Sequence, residues 1–121
     1  MMISSVALTA LDLLRYPRAS GGIDTVATVL SDLGPKIDPA QLAALSVRVE
    51  RPIAQRLGHL LERLGHGAVT GAMLEALWVR GPLRWTELDR QEMGAPDLQR
   101  GLPMRDSRWR VIVRRIPEVD D

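Results

Sequence analysis

The chain has 121 residues, 45% of them hydrophobic and 26% charged, with a formal net charge of +1 and no cysteine. That length suits one ordinary domain, and the composition excludes a disordered segment. The lack of cysteine excludes disulfides and thiolate metal sites and fits a reducing compartment, with the cytoplasm as the expected location.

Phenylalanine is absent, so the core has to be assembled mainly from Leu, Val, Ile, Ala and Met, with Tyr16, Trp78, Trp85 and Trp109 as the only aromatic residues. The N-terminal MMISSVALTALDLL has no basic region and is interrupted by Thr9 and Asp12, so it does not read as a signal peptide. The longest apolar stretch, residues 68–79, is too short to span a bilayer and contains Glu75, so no membrane contact is expected.

Ser4 or Ser5 caps a first helix running to about Arg15, with Val6, Leu8, Leu11 and Leu14 apolar and Pro17 stopping it. Thr9 and Asp12, three apart, share one of its faces. After the Gly21-Gly22 break, Ile23, Val26, Ala27, Leu30 and Leu33 form the stripe of a second helix, with Asp24 in its favourable first turn. Gly34 and Pro35 end it. Asp38, Pro39 and Gln41 make a start like a capping box for a third helix, whose Leu42, Leu45 and Val49 face inward until Pro52 forces Arg51 out of helical conformation.

Residues 51–65, RPIAQRLGHLLERLG, form the most strongly determined element. Ile53, Leu57, Leu60, Leu61 and Leu64 line one face of a helix, and Gln55, Arg56, His59, Glu62 and Arg63 fall on the other. Pro52 suits the first helical position, and Gly65 suits the left-handed residue that closes a helix. At roughly 1.5–3 kcal/mol for each fully buried aliphatic side chain, this face contributes on the order of 10 kcal/mol before chain entropy. Gly58 is out of place, since glycine inside a helix costs roughly 1 kcal/mol relative to alanine. The sequence therefore predicts that another backbone, that of the first helix, packs closely against it.

Residues 68–79 are apolar on most sides and predict a helix buried between its neighbours, ended by Gly81 and Pro82. The period then changes. Trp109, Val111 and Val113 alternate with Arg108, Arg110 and Arg114 in the pattern of a half-buried strand, although Ile112 breaks the polar face. Residues 83–88, LRWTEL, are the best partner strand, giving a wide antiparallel hairpin that must pack on the helices or pair with strands outside this sequence. The expected fold is α+β and mainly helical, with about five helices packed around the amphipathic helix at 51–65 and a small C-terminal antiparallel β-hairpin. We expect a single domain over 1–121, with a helical part at 4–80 and a hairpin part at 83–116.

Nine arginines between residues 80 and 115 face five carboxylates, those of Glu87, Asp89, Glu92, Asp97 and Asp106, ahead of an acidic end at Glu118, Asp120 and Asp121. Such a surplus either suits an acidic partner or reflects nucleotide bias in the coding genome, since Lys36 is the single lysine. The row Arg108, Arg110, Arg114 and Arg115 either grips carboxylates or phosphates or protects an exposed sheet from aggregation. His59, Glu62 and His66 have the chemistry of metal ligands, but Gly65 ends the helix before His66, and Arg56 and Arg63 put positive charge beside them. Ser4, Ser5, Thr9, Ser20 and Ser46 fall at caps or on helix faces, and Gly21-Gly22 has neither a preceding strand nor a GKS/T. No catalytic residue, metal or cofactor is expected.

In order and spacing, the segments SSVALTALDLL (4–14), GGIDTVATVLSDL (21–33), RLGHLLERLG (56–65) and the final RWRVIVRRIPEVD (108–120) resemble the C-terminal domain of AbiEi-type antitoxins, from bacterial abortive-infection toxin–antitoxin systems. The signature positions are Thr9, Asp12, Gly22, Leu57, Gly58, Leu61 and Trp109, while Arg114 stands where a polar Asn is expected. Family members join this domain to an N-terminal winged helix-turn-helix that binds their own promoter. The resemblance implies a non-enzymatic antitoxin-like domain that neutralises or binds a nucleotidyltransferase-type toxin, within a transcriptional autoregulator whose winged helix-turn-helix is absent from this sequence. The polar side of the 51–65 helix and the C-terminal arginine row supply the expected partner contacts, Arg56, His59, Arg63, Arg108, Arg110 and Arg114. The alternative is a nucleic-acid-binding regulatory domain using the Arg-rich C-terminal face, with DNA as its partner.

Overall fold

The computed structural model describes residues 6–16, 21–88 and 104–113. Among them are five α-helices, α1 (Val6–Arg15), α2 (Ile23–Leu33), α3 (Pro39–Ser46), α4 (Arg51–Arg63) and α5 (Gly71–Val79), and three short strands, β1 (Thr86–Glu87), β2 (Met104–Asp106) and β3 (Val111–Val113). Short 3₁₀ turns at Gly34–Lys36 and Gly67–Val69 follow α2 and precede α5. The chain is thus mainly helical with a small mixed sheet. None of the described helices is long and apolar enough to cross a membrane.

The helix boundaries follow from local chemistry. Asp38 accepts a hydrogen bond from the Ala40 amide and caps α3 ahead of Pro39. Glu50 is the extended residue before α4, so Arg51 is already helical and Pro52 sits in the first turn, one residue later than the sequence suggested. A proline there removes an amide that had no helical partner anyway. At the other end Gly65 takes φ +90°, its amide bonds the Glu62 carbonyl, and the His66 amide bonds the Leu61 carbonyl. Those two bonds are the Schellman closure, which needs a left-handed residue at the glycine. The expected caps Ser4 and Ser5, and Pro17, lie outside the described residues.

Helix α4 packs against α1, α2, α5, β1 and β3, while α3 packs chiefly on α5. One continuous apolar cluster runs from Ala7 and Leu11 of α1 through Val26 and Leu30 of α2, Leu42 of α3 and Leu57, Leu60 and Leu61 of α4 to Trp109, Val111 and Val113. In α1 the buried side is Ala7, Ala10, Leu11 and Leu14, whereas Leu8 is 39% exposed, so the small residues and not Leu8 turn inward. In α2 the buried residues are Ile23, Val26, Ala27 and Leu30, with Leu33 half-buried. Helix α5 is shorter and less enclosed than expected. Only Met73 and Leu77 are fully buried, and Val79 is 84% exposed. An all-apolar circumference made α5 read as interior, but it lies at the edge with one side against α3 and α4.

The sheet corrects the predicted hairpin. Its order is β1-β3-β2, with β3 central. β2 is the antiparallel partner of β3, pairing Met104 with Val113 and Asp106 with Val111, whereas β1 runs parallel to β3, pairing Thr86 with Val111 and Glu87 with Ile112. A tight turn can join only antiparallel neighbours, and a parallel pair needs a long crossover. Residues 107–110 supply the first connection, and the chain between Glu87 and Val111 is long enough for the second. Strand β3 is also shorter than the alternation implied. Trp109, Val111 and Val113 are all buried, but Trp109, Arg108 and Arg110 belong to the turn, where Arg110 takes φ +55°.

Candidate partner-binding surface

The side of α4 that reads as solvated is a seam. Arg51 donates to the carbonyls of Arg80 (3.2 Å) and Pro82 (3.3 Å), Gln55 to that of Arg84 (2.7 Å), and Arg56 to that of Glu87 (2.6 Å) and to the Thr86 hydroxyl (3.2 Å). Successive turns of the helix, about 5.4 Å apart, thus meet an extended chain that advances about 6.6 Å for every two residues. Further along, the His59 ring meets Asp106 (Nδ1 to Oδ2, 2.7 Å), and Glu62 accepts from Arg108 Nε (2.8 Å) and from the Thr70 hydroxyl (3.0 Å). Residues 51, 55, 59 and 62 therefore form a second helical stripe, which fastens the C-terminal part of the chain to α4.

Burial matches this role. Gln55 is 1% exposed and His59 5%, in contrast to the water-facing positions expected from the sequence. Gln55 also donates to the Trp109 carbonyl at 2.8 Å, which holds the hairpin turn in place. The other Asp106 oxygen accepts from the amides of Arg108 (3.0 Å) and Trp109 (3.3 Å), the short-range bonding that makes aspartate a turn former. The left-handed Arg110 is secured because its carbonyl accepts from the Thr86 amide at 2.9 Å.

Gly58 sits between these polar anchors, and there the expectation of close packing meets a different neighbour. A Cβ at position 58 would overlap the six-membered ring of Trp109, near Cη2, Cζ3 and Cε3. The close approach is made by a fully buried indole from the hairpin turn and not by the backbone of α1. A bare helix surface at Gly58 is what lets the largest side chain of the core approach α4 this closely.

The histidines do not converge on a metal. His66 stands beside the C-terminus of α2, with Nε2 3.3 Å from the Ser31 carbonyl and the ring against Gly34, whereas His59 faces Asp106. Among the described residues no group of three His, Cys, Asp or Glu side chains is placed to hold a metal ion. Thr9 and Asp12 lie on the exposed side of α1, and Gly22 precedes α2 with φ +93°. Leu57 and Leu61 are core residues.

The six expected partner contacts have separate placements. Arg56 and His59 are engaged in the seam, and Arg63 is exposed at the end of α4. Arg108 is ion-paired to Glu62 with its side chain 54% exposed. Arg114 lies outside the described residues. Arg110 lies near two indoles, its guanidinium carbon 5.6 Å from the Trp78 ring centre and 5.3 Å from that of Trp85, and the Arg105 guanidinium carbon is 5.9 Å from the Trp85 ring centre. Arg108 and Arg110 thus project from a turn and not along one strand. The sequence pattern did not single out Arg105, Trp78 or Trp85, because residues from α5, the segment before β1, and β2 come together only in the fold.

Residues 1–63 match the family model of the AbiEi antitoxin C-terminal domain. The matched segment holds α1 to α4 and stops at the last residue of α4, so the likeness read from residues 108–120 lies beyond it. No curated protein and no solved structure matches the chain. The match takes in more than half of the 121 residues and includes the helix on which both the apolar core and the polar seam are built. The chain belongs to the AbiEi antitoxin C-terminal domain family.

Proposed function

We propose that this chain is a non-enzymatic antitoxin domain that neutralises a nucleotidyltransferase-type toxin encoded beside it, as part of abortive infection in the bacterial cytoplasm. The observation that carries this reading is the family match over residues 1–63, which gives an antitoxin-type role in general. The arrangement of α4 supports a binding module: its ionisable side chains, apart from Arg63, bond to other parts of the chain and not into a cleft. On this reading the chain acts as one domain over residues 1–121, because the apolar cluster passes without a break from α1 to β3. Arg63 and Arg108 are its exposed candidates for partner contact, Arg110 is half-buried beside them, and Arg56 and His59 hold the hairpin in position. A winged helix-turn-helix acting with this domain on the operon's promoter would supply autoregulation.

The direct test is nucleotidyl transfer by the purified neighbouring toxin, titrated with the purified chain. Transfer falling to background near equimolar chain is the expected outcome. Undiminished transfer at a large molar excess, together with no protection of cells, refutes the reading.

A further inference from the structure

The corner where the segment before β1, helix α5, strand β2 and the turn before β3 meet is both aromatic and cationic. The Arg110 guanidinium carbon is 5.3 Å from the Trp85 ring centre and 5.6 Å from that of Trp78, and the Arg105 guanidinium carbon is 5.9 Å from that of Trp85. Trp85 is 40% exposed and stands outside the apolar cluster, and Arg105 is exposed as well. Among the described residues neither Arg105 nor Arg110 has a carboxylate partner, whereas Arg108 is paired to Glu62. Two uncompensated guanidinium groups beside an exposed indole contribute nothing to the core and have the composition of a recognition site.

The backbone supplies a second, independent observation. Arg110 takes φ +55°, a left-handed conformation that suits glycine or asparagine better than arginine. The turn holds it there, because its carbonyl accepts from the Thr86 amide at 2.9 Å and Gln55 bonds the neighbouring Trp109 carbonyl at 2.8 Å. Residues kept in sparsely populated conformations by their surroundings gather at ligand clamps and other functional positions. The Arg110 Nε is buried with no hydrogen-bond partner among the described residues, so the two indoles, and not a protein acceptor, set the place of this guanidinium.

The chemistry of the corner selects its occupant. An acidic protein segment is satisfied by the cations alone and gives the exposed indole no partner of its own. Duplex nucleic acid offers phosphates but keeps its bases stacked inside. A second copy of the chain would set Arg105 and Arg110 against their own kind. A single strand alternates phosphates with unstacked bases, and such bases stack on aromatic rings and guanidinium planes. We propose that the corner of Trp85, Arg105 and Arg110 binds single-stranded nucleic acid, with a base on the Trp85 indole and the flanking phosphates on the two guanidinium groups. This goes beyond the antitoxin reading and does not depend on it, since its readout is binding by the chain alone.

The test is fluorescence anisotropy of labelled oligouridylate and oligothymidylate, each of about 12 nucleotides, titrated with the purified full chain at low salt. Saturable binding of at least one strand is expected, with a log–log salt slope of about −1.4, at about 0.7 for each of two phosphates. Trp85→Ala and Arg105→Ala, both at exposed positions, keep the wild-type melting temperature and each weaken binding about 5-fold or more. Trp85→Phe retains a ring and keeps most of the affinity. Arg48→Ala removes an exposed arginine in the turn after α3 and stays within about twofold of wild type. No binding of either strand at low salt overturns the proposal, as does a loss in Arg48→Ala equal to that in Arg105→Ala, which marks a general attraction for polyanions. Binding that survives Trp85→Ala unchanged, or a duplex of the same sequence that binds as tightly as the single strand, also overturns it. Displacement by polyglutamate as effective as that by unlabelled oligouridylate reassigns the corner to protein carboxylates and overturns it too.

Discussion

Replacing Gly58 by alanine sets two effects against each other. In an exposed helix interior the change stabilises by about 0.8–1.0 kcal/mol, because alanine forms helix more readily. At position 58 the new methyl group would occupy space held by the Trp109 ring. That ring is fully buried and poorly able to retreat, since the Trp109 carbonyl is bound by Gln55 and its amide by Asp106. Overpacking of a tight site costs about 1–3 kcal/mol, and here backbone anchoring favours the upper half of that range. Subtracting the propensity gain leaves a net loss of roughly 1–2 kcal/mol, or about 3–8 °C in melting temperature for a chain of this size. Urea unfolding followed by far-UV circular dichroism measures the loss. In a Trp109→Leu background, where the smaller side chain leaves room, the same Gly58→Ala change is neutral or stabilising, and the difference is the coupling between the two sites. If Gly58→Ala raises stability in the Trp109 chain, the indole does not lie on α4 and the account of the seam is wrong.

Two further changes probe the same region. Gln55→Leu leaves the Arg84 and Trp109 carbonyls without their side-chain donor, and since one buried unsatisfied group costs about 1–3 kcal/mol, we expect a loss of roughly 2–4 kcal/mol in the urea midpoint analysis. A loss below that of a surface substitution contradicts the buried bonds. Gly65→Ala forces an L side chain into φ +90° and costs about 1 kcal/mol or slightly more, read as a lower melting temperature. An unchanged melting temperature means that α4 does not close through a left-handed residue.

The apolar face of α4 was legible because large aliphatic side chains at positions 53, 57, 60, 61 and 64 have one common explanation, burial; the first four are buried, and Leu64, past the last helical residue, is half-buried. Its polar face was not, because Arg51, Gln55, His59 and Glu62 have the same spacing whether they meet water or carbonyl groups. Two features pointed to the seam: the four recur as a helical stripe of their own, and Gly58 lies among them. The missing information was long-range, namely that the extended chain from Arg80 to Glu87 runs alongside this stripe. The same limit explains the sheet. Two-residue β1 is too short to carry a period, and nothing in an alternating pattern distinguishes parallel from antiparallel pairing. Trp109 was correctly placed on the inner side by its alternation with arginines, but its partner Gly58 lies 51 positions earlier in the sequence. The cation-bearing corner of Trp78, Trp85, Arg105 and Arg110 escaped notice for a similar reason, since it draws on three separate segments.

Colony formation under induced expression of a cognate toxin gene tests whether this chain acts as an antitoxin domain. Cells that also express the 121-residue chain should recover to within about tenfold of uninduced controls, while an empty vector leaves them inhibited. A well-expressed, folded chain that gives no recovery, where a longer version carrying the winged helix-turn-helix does, contradicts the claim that these residues neutralise the toxin by themselves.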